Sequence, residues 1–173
     1  MRMRRLVWRH IPASKEPLHL GWIQLARGRW NTQRPRLACL YTALTQDGAI
    51  GEYRKHFTWS GLGAPGDVKP RDLVSLIVDV EPVLDLTDHA LLEQLNVPDP
   101  AALVGDTPRH HALCRRIAWN AVRDGFRAIH APSAAVRGER TLMIYPESQH
   151  GRLRLRNGPD RIPLNYGPDP LAA

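Results

Sequence analysis

Three residues whose types can do chemistry, Arg29, Tyr41 and Glu52, bracket one short apolar run at spacings of twelve and eleven. Arg29 follows Gly28, where the backbone is accessible, and a guanidinium there can grip a phosphate through paired N–H groups. Tyr41 closes the apolar run, a position from which an aromatic ring can face a cleft. Glu52 falls in the first turn of the helix expected next, where a carboxylate can stabilise a developing positive charge. The set describes cleavage beside an anionic, planar substrate. On spacing alone a plainer reading ranks ahead: an Arg29–Glu52 ion pair and a core tyrosine.

Other chemistries have weaker support. His110 and Cys114 are four apart on a predicted helix, but two ligands do not make a zinc site, and neither HExxH nor CxxC is present. Asp79, Glu81, Asp85 and Asp88 are explained by a strand end and a helix start without a cation. Ser133, in HAPSAA, lacks the G-x-S-x-G elbow of a nucleophilic triad. GLGAPG, at 61–66, lacks the following helix with Lys-Ser/Thr that a phosphate loop needs, and reads as a plain loop. The Arg/Leu alternation at 152–156 reads as an edge strand kept soluble by charge.

These residues need elements to position them. The sequence predicts strands at 4–11, 36–44, 72–80, 127–133, 140–146 and 151–158. A helix over 45–57 follows from the spacing of Ile50, Tyr53 and Phe57, with Gly48 and Gly51 weakening its start. A second helix, over 86–97, has Thr87 or Asp88 as its N-cap. A third spans 106–125: Thr107 caps it, Pro108 takes the tolerated first position, Gly125 ends it, and Leu113, Ile117 and Ala121 form its apolar stripe. The sum is an α+β domain.

The chain has 173 residues, which fits one domain, and such a length buries roughly 70% of the surface an unfolded chain exposes. A net charge of +7 favours anionic partners, and nearly all of it is arginine, since lysine occurs only at 15, 55 and 69. The arginines are dispersed and the five tryptophans do not cluster with them, so direct nucleic-acid binding is not expected. No apolar run approaches the ~18 residues of a membrane span. The two cysteines, Cys39 and Cys114, are far apart, as in a reduced, cytoplasmic protein.

The ordered set of short motifs resembles the RES-domain family, toxins of bacterial toxin–antitoxin pairs. The matching pieces are VWRHI (7–11), GRWN (28–31), CLYTAL (39–44), GE (51–52), VLDLTD (83–88), APSA (131–134) and TLMIYP (141–146). Two departures stand out: one glycine rather than two precedes Arg29, and GERTL replaces a common asparagine before the last apolar run. The resemblance implies one RES-like domain over 1–173, with core motifs at about 4–146 and a C-terminal strand and tail at 147–173.

It also implies a fold similar to ADP-ribosyltransferases, central β-sheets with flanking helices, and an activity that consumes NAD. NAD enters as substrate, with no prosthetic group and with inorganic phosphate as a possible co-substrate, and the nicotinamide–ribose bond is lost by hydrolysis or phosphorolysis. An alternative is protein ADP-ribosylation at the same site; from another class, a basic nucleic-acid-binding module. The implied site residues are Arg29, Tyr41, Glu52 and Ser133, with Arg9 a further binding residue. Glu52 would meet the ribose cation, Tyr41 would stack on nicotinamide or ribose, Arg29 and Arg9 would hold pyrophosphate or phosphate, and Ser133 would bond nicotinamide or ribose hydroxyls. The implied partner is a cognate Xre-type antitoxin.

Overall fold

The computed structural model describes residues 1–18, 28–33, 36–59, 70–97, 99–148 and 150–164, with the side chains of Gln33 and 56–59 excepted. The GLGAPG loop and the tail beyond 164 lie outside the described residues.

Among the described residues, nine strands and three helices follow one another as β1 (Met3–Pro12), β2 (Thr32–Gln33), β3 (Arg36–Leu37), β4 (Leu40–Ala43), α1 (Gln46–Trp59), β5 (Arg71–Glu81), β6 (Val83–Asp85), α2 (His89–Gln94), α3 (Pro108–Arg123), β7 (Ala128–Pro132), β8 (Arg140–Ile144) and β9 (Arg152–Leu164). A 3-10 turn, Pro100–Leu103, precedes α3. Seven strands form one mixed sheet in the order β6-β7-β8-β4-β1-β5-β9, and β2-β3 form a separate ribbon. Among the described strands, only β6 and β7 pair in parallel. The α+β expectation, a central sheet with flanking helices, therefore holds.

The sheet curls. Val83 donates its N–H to the Met1 carbonyl at 2.8 Å, and the Met1 amine donates to the Val83 carbonyl at 3.0 Å, so an edge strand meets the start of a central one. The curl explains why apolar runs in the sequence are continuous rather than alternating: both faces are buried. On β8, Leu142 and Ile144 join Val7, Leu40, Leu76 and Val78 in one core. Met143 and Tyr145 face the other way, into a second core with Leu92 of α2 and Cys114, Ile117, Ala118 and Ala121 of α3.

The helix ends are set by local chemistry. Asp88 caps α2 by accepting from Ala90 N at 2.9 Å, while the Thr87 hydroxyl goes to Asp85 instead. Thr107 accepts from His110 N, Pro108 starts α3, and Gly125 beyond it has φ +92°. Leu113 of the expected stripe is only partly buried, and Cys114 and Ala118 complete the buried face.

Three expectations change. The run 36–44 is two strands, because Arg36–Leu37 finds a local antiparallel partner in Thr32–Gln33 before the chain enters the main sheet at Leu40. The last strand extends past 158 to Leu164 despite Pro159 and Pro163, since an edge strand bonds on one side only. Glu52 sits in the second turn of α1, not the first, because the helix begins at Gln46 behind Thr45, whose hydroxyl accepts from Gly48 N at 2.9 Å.

Candidate functional site

The GRWN segment is clamped onto the sheet. The Trp30 N–H donates to the Tyr41 hydroxyl at 2.6 Å, Tyr41 in turn donates to Asn31 Oδ1 at 3.1 Å, and the Tyr145 hydroxyl donates to the Trp30 carbonyl at 3.1 Å. Trp30 and Asn31 are buried by these contacts. A Cβ on residue 28 would collide with Asn31 Oδ1 and the Tyr41 hydroxyl, so only glycine lets the segment lie this close. Burial, then the neighbouring Cys39, holds the Tyr41 hydroxyl well above its ordinary pKa, so it is a neutral hydrogen-bonding group.

Arg29 is turned toward the segment before α3. Its Nη1 donates to the carbonyls of Leu103 at 3.2 Å and Gly105 at 2.6 Å, and its Nη2 donates to the Val104 carbonyl at 3.3 Å and to Asp106 Oδ1 at 2.7 Å. The expected Arg29–Glu52 ion pair is thus replaced by one with Asp106. Lys55, one turn beyond Glu52, pairs with Asp106 Oδ2 at 2.7 Å and donates to the Ala134 carbonyl at 2.6 Å. His111 Nε2 approaches Asp106 Oδ1 at 3.7 Å. Burial raises the Asp106 carboxyl, but the Lys55 bond and the charges of Lys55 and Arg29 outweigh it, and its pKa is net lowered. One carboxylate therefore ties the GRWN segment, α1 and the start of α3 together.

Glu52 and Ser133 are joined directly. The Ser133 hydroxyl donates to Glu52 Oε1 at 2.7 Å and accepts from the N–H groups of Ala135 and Val136, both at 3.1 Å. With both lone pairs occupied, the serine proton has one direction left, toward the carboxylate. Burial raises the Glu52 pKa, opposed by the Ser133 bond and by the charges of Lys55 and Arg29. The approach of α1 to this loop depends on Gly51, where a Cβ would overlap the Val136 side chain. The glycine that weakens the helix in sequence terms is what lets Glu52 reach Ser133.

These residues surround a cavity of about 350 Å³. Arg9, Arg29, Tyr41 and Glu52 line it; Ser133 does not, and reaches it only through Glu52. Arg9 is buried at 3% exposure and donates Nη1 to the Pro17 carbonyl at 3.1 Å. Burial first and the Arg71 charge second push its pKa down to about 10, which leaves it charged at neutral pH. The volume falls in the range that holds a small organic ligand, roughly 300–1,000 Å³.

The motifs missed several wall residues. Asp106, Lys55, His111, His10 and Arg71 all line the cavity. Lys55 had a signal, its place one helical turn after Glu52. Asp106 had none, because it meets Arg29 across 77 residues of chain. The groups considered for metal are engaged elsewhere. Cys114 is buried with Sγ toward the Leu103 carbonyl, Asp79 pairs with Arg2, and Asp85 accepts from Thr87 and meets His130 Nδ1 at 2.9 Å.

No curated protein sequence matches the chain. Among solved structures, it is similar to the crystal structure of the M. tuberculosis MbcT-MbcA toxin-antitoxin complex. The TM-score is 0.73 and the identity 19%, over 95% of this chain and 86% of that one. At that identity the likeness speaks for the fold. The RES domain family model matches residues 2–165, so the arginine, the tyrosine and the carboxylate–serine pair converge within a chain that belongs to the RES domain family.

Proposed function

We propose that this protein is a toxin-type enzyme that consumes NAD by breaking its nicotinamide–ribose bond, and that a cognate antitoxin neutralises it by covering the pocket. The observation that carries this reading is the Glu52–Ser133 pair: a partly buried carboxylate, aimed by a fixed hydroxyl, in the wall of a cavity that Arg9, Arg29 and Tyr41 also line. The family match and the toxin–antitoxin description of the similar solved structure support the toxin and partner assignments. An Xre-type antitoxin is the partner the family implies.

In this mechanism the C1′–N bond breaks heterolytically. Nicotinamide leaves as a neutral molecule with the bonding electrons, and positive charge develops on the ribose, as in glycoside cleavage. The Glu52 carboxylate stabilises that charge more in the transition state than in the ground state. Water or inorganic phosphate then attacks C1′, giving ADP-ribose and a proton, or a 1-phosphorylated ADP-ribose. Tyr41 offers its ring to the nicotinamide or ribose, its hydroxyl being held by Trp30 and Asn31. Ser133 acts as a positioning residue for Glu52 rather than a substrate contact, since its bonds are already made. Arg29, bound to three carbonyls and Asp106, acts by fixing the cavity wall. Protein ADP-ribosylation would use the same carboxylate with a protein nucleophile in place of water.

The test is NAD consumption by the purified protein, with and without inorganic phosphate, beside Glu52→Ala. The expected result is NAD loss that requires Glu52, with dependence on phosphate naming the acceptor. Turnover retained in the variant overturns the mechanism. Absence of turnover, with label transferred from NAD to protein, selects ADP-ribosylation.

A further inference from the structure

The cavity has a second cationic wall that the chemistry above leaves unused. Arg71 opens β5, and the β1–β5 register sets Pro12 opposite Arg71 and His10 opposite Leu73, so Arg71 and His10 are diagonal neighbours on one face. Arg71 Nε donates to His10 Nδ1 at 2.9 Å. That bond makes His10 Nδ1 a lone pair and assigns the ring proton to Nε2, a neutral tautomer. His10 is braced by Tyr53, edge-on at 5.4 Å between ring centroids. On its other side, continuing the Trp8↔Ala43 register brings His10 beside Tyr41. Tyr41, His10 and Arg71 therefore sit on three adjacent strands, β4, β1 and β5, and all three line the cavity. Neighbouring strands are about 4.8 Å apart, so the guanidinium arm begins roughly 10 Å from the tyrosine.

We propose that Arg71, steered by His10, is a phosphate-binding residue of this pocket, taking a phosphate group of the dinucleotide whose nicotinamide end lies at Tyr41. The proposal rests on the NAD-consuming reading of the same cavity. A ribose separates a nicotinamide ring from its phosphate, and the two-strand offset between Tyr41 and Arg71 suits that separation. Charge points the same way. The cavity-wall cations Arg29 and Lys55 are both held by Asp106. The Arg71 charge is the second cause, after burial, of the lowered Arg9 pKa, so positive charge already crowds this end of the cavity. Burial also lowers the pKa of Arg71 itself. An anion bound at Arg71 offsets the cost of keeping its guanidinium charged where burial opposes that charge. Arginine suits this better than lysine, because Nε can be fixed by His10 while the Nη pair addresses the phosphate.

The experiment is calorimetric titration of wild type, Arg71→Gln and Arg71→Lys with ADP-ribose, inorganic phosphate and nicotinamide riboside, alongside NAD kinetics and melting curves. Arg71→Gln is expected to weaken ADP-ribose binding by roughly 10- to 100-fold, the loss of one charge-assisted contact, while leaving the phosphate-free riboside within about twofold. Arg71→Lys, keeping charge without the fork, falls between, and serves alone if the glutamine variant does not fold. If affinity for inorganic phosphate drops while ADP-ribose is unchanged, Arg71 binds free phosphate, and the phosphate-binding role stands with that source. Unchanged affinity for both anions overturns the proposal, as does equal loss of the riboside, which marks a deformed pocket. Arg71-dependent anion binding without any NAD turnover would sink the enzymatic reading and keep the subsite. Turnover with an unchanged KM for NAD and for phosphate in Arg71→Gln would do the reverse.

Discussion

At the scale of single residues, Glu52 has a testable electrostatic signature. Its carboxyl is raised above 4.5, chiefly by burial. A raised carboxyl binds its proton more tightly folded than unfolded, so the ionised form costs stability. That cost is absent below the ordinary carboxylate value, grows as pH rises through the raised one, and is fully present above it. Glu52→Gln, which keeps an oxygen for the Ser133 hydroxyl, is therefore expected to melt higher than wild type at pH 7. The gap should close as pH falls toward 4, and a pH-independent gap would argue against an ionised, partly buried carboxylate. Under the proposed mechanism the same variant is inactive. The acid limb of wild-type kcat/KM, which reports Glu52 protonation, should lie above the ordinary glutamate range.

At the scale of elements, the approach of α1 to the Ser133 loop is the feature most exposed to a single atom. Gly51→Ala improves helix propensity by about 1 kcal/mol, yet its methyl overlaps Val136. Under the proposed mechanism the expected outcome is an intact helix by circular dichroism with kcat/KM for NAD reduced roughly 10- to 100-fold, the scale of a carboxylate displaced by about 1 Å. Adding Val136→Ala removes the overlapping methyl and should restore most of the activity; no restoration would place the defect elsewhere. The element's existence was legible from Ile50, Tyr53 and the flanking turn. Its start was legible to within one residue, at 45 against 46, but the second contact of the Thr45 cap was not: its hydroxyl also reaches Glu139 Oε2 at 2.6 Å. Ninety-four residues separate that pair, beyond any local pattern.

At the scale of the whole molecule, stability resides in the curled sheet. Leu142 lies on β8 between β4 and β7, is fully buried, and packs with residues from β1, β5 and β6 across the curl. Leu142→Ala is expected to cost about 2–5 kcal/mol in urea unfolding, at an unchanged m-value. A cost under about 1 kcal/mol would mean that the two halves of the sheet do not pack against one another there.

The sequence by itself determined the kinds of element, the buried strands, the cap at Thr107 and one at Thr87 or Asp88, and the membership of Arg9, Arg29, Tyr41 and Glu52 in one place. Apolar runs, prolines, glycines and short motifs are local, and local signals report local structure. Only the tertiary structure decided what each functional group holds. Arg29 answers to Asp106 rather than Glu52, Ser133 to Glu52 rather than to nicotinamide or ribose hydroxyls, and Arg71 to His10. Those partners lie 61 to 81 residues apart in the chain. Their meeting is set by the curl of the sheet and the close approach of α1, which no spacing along the sequence encodes.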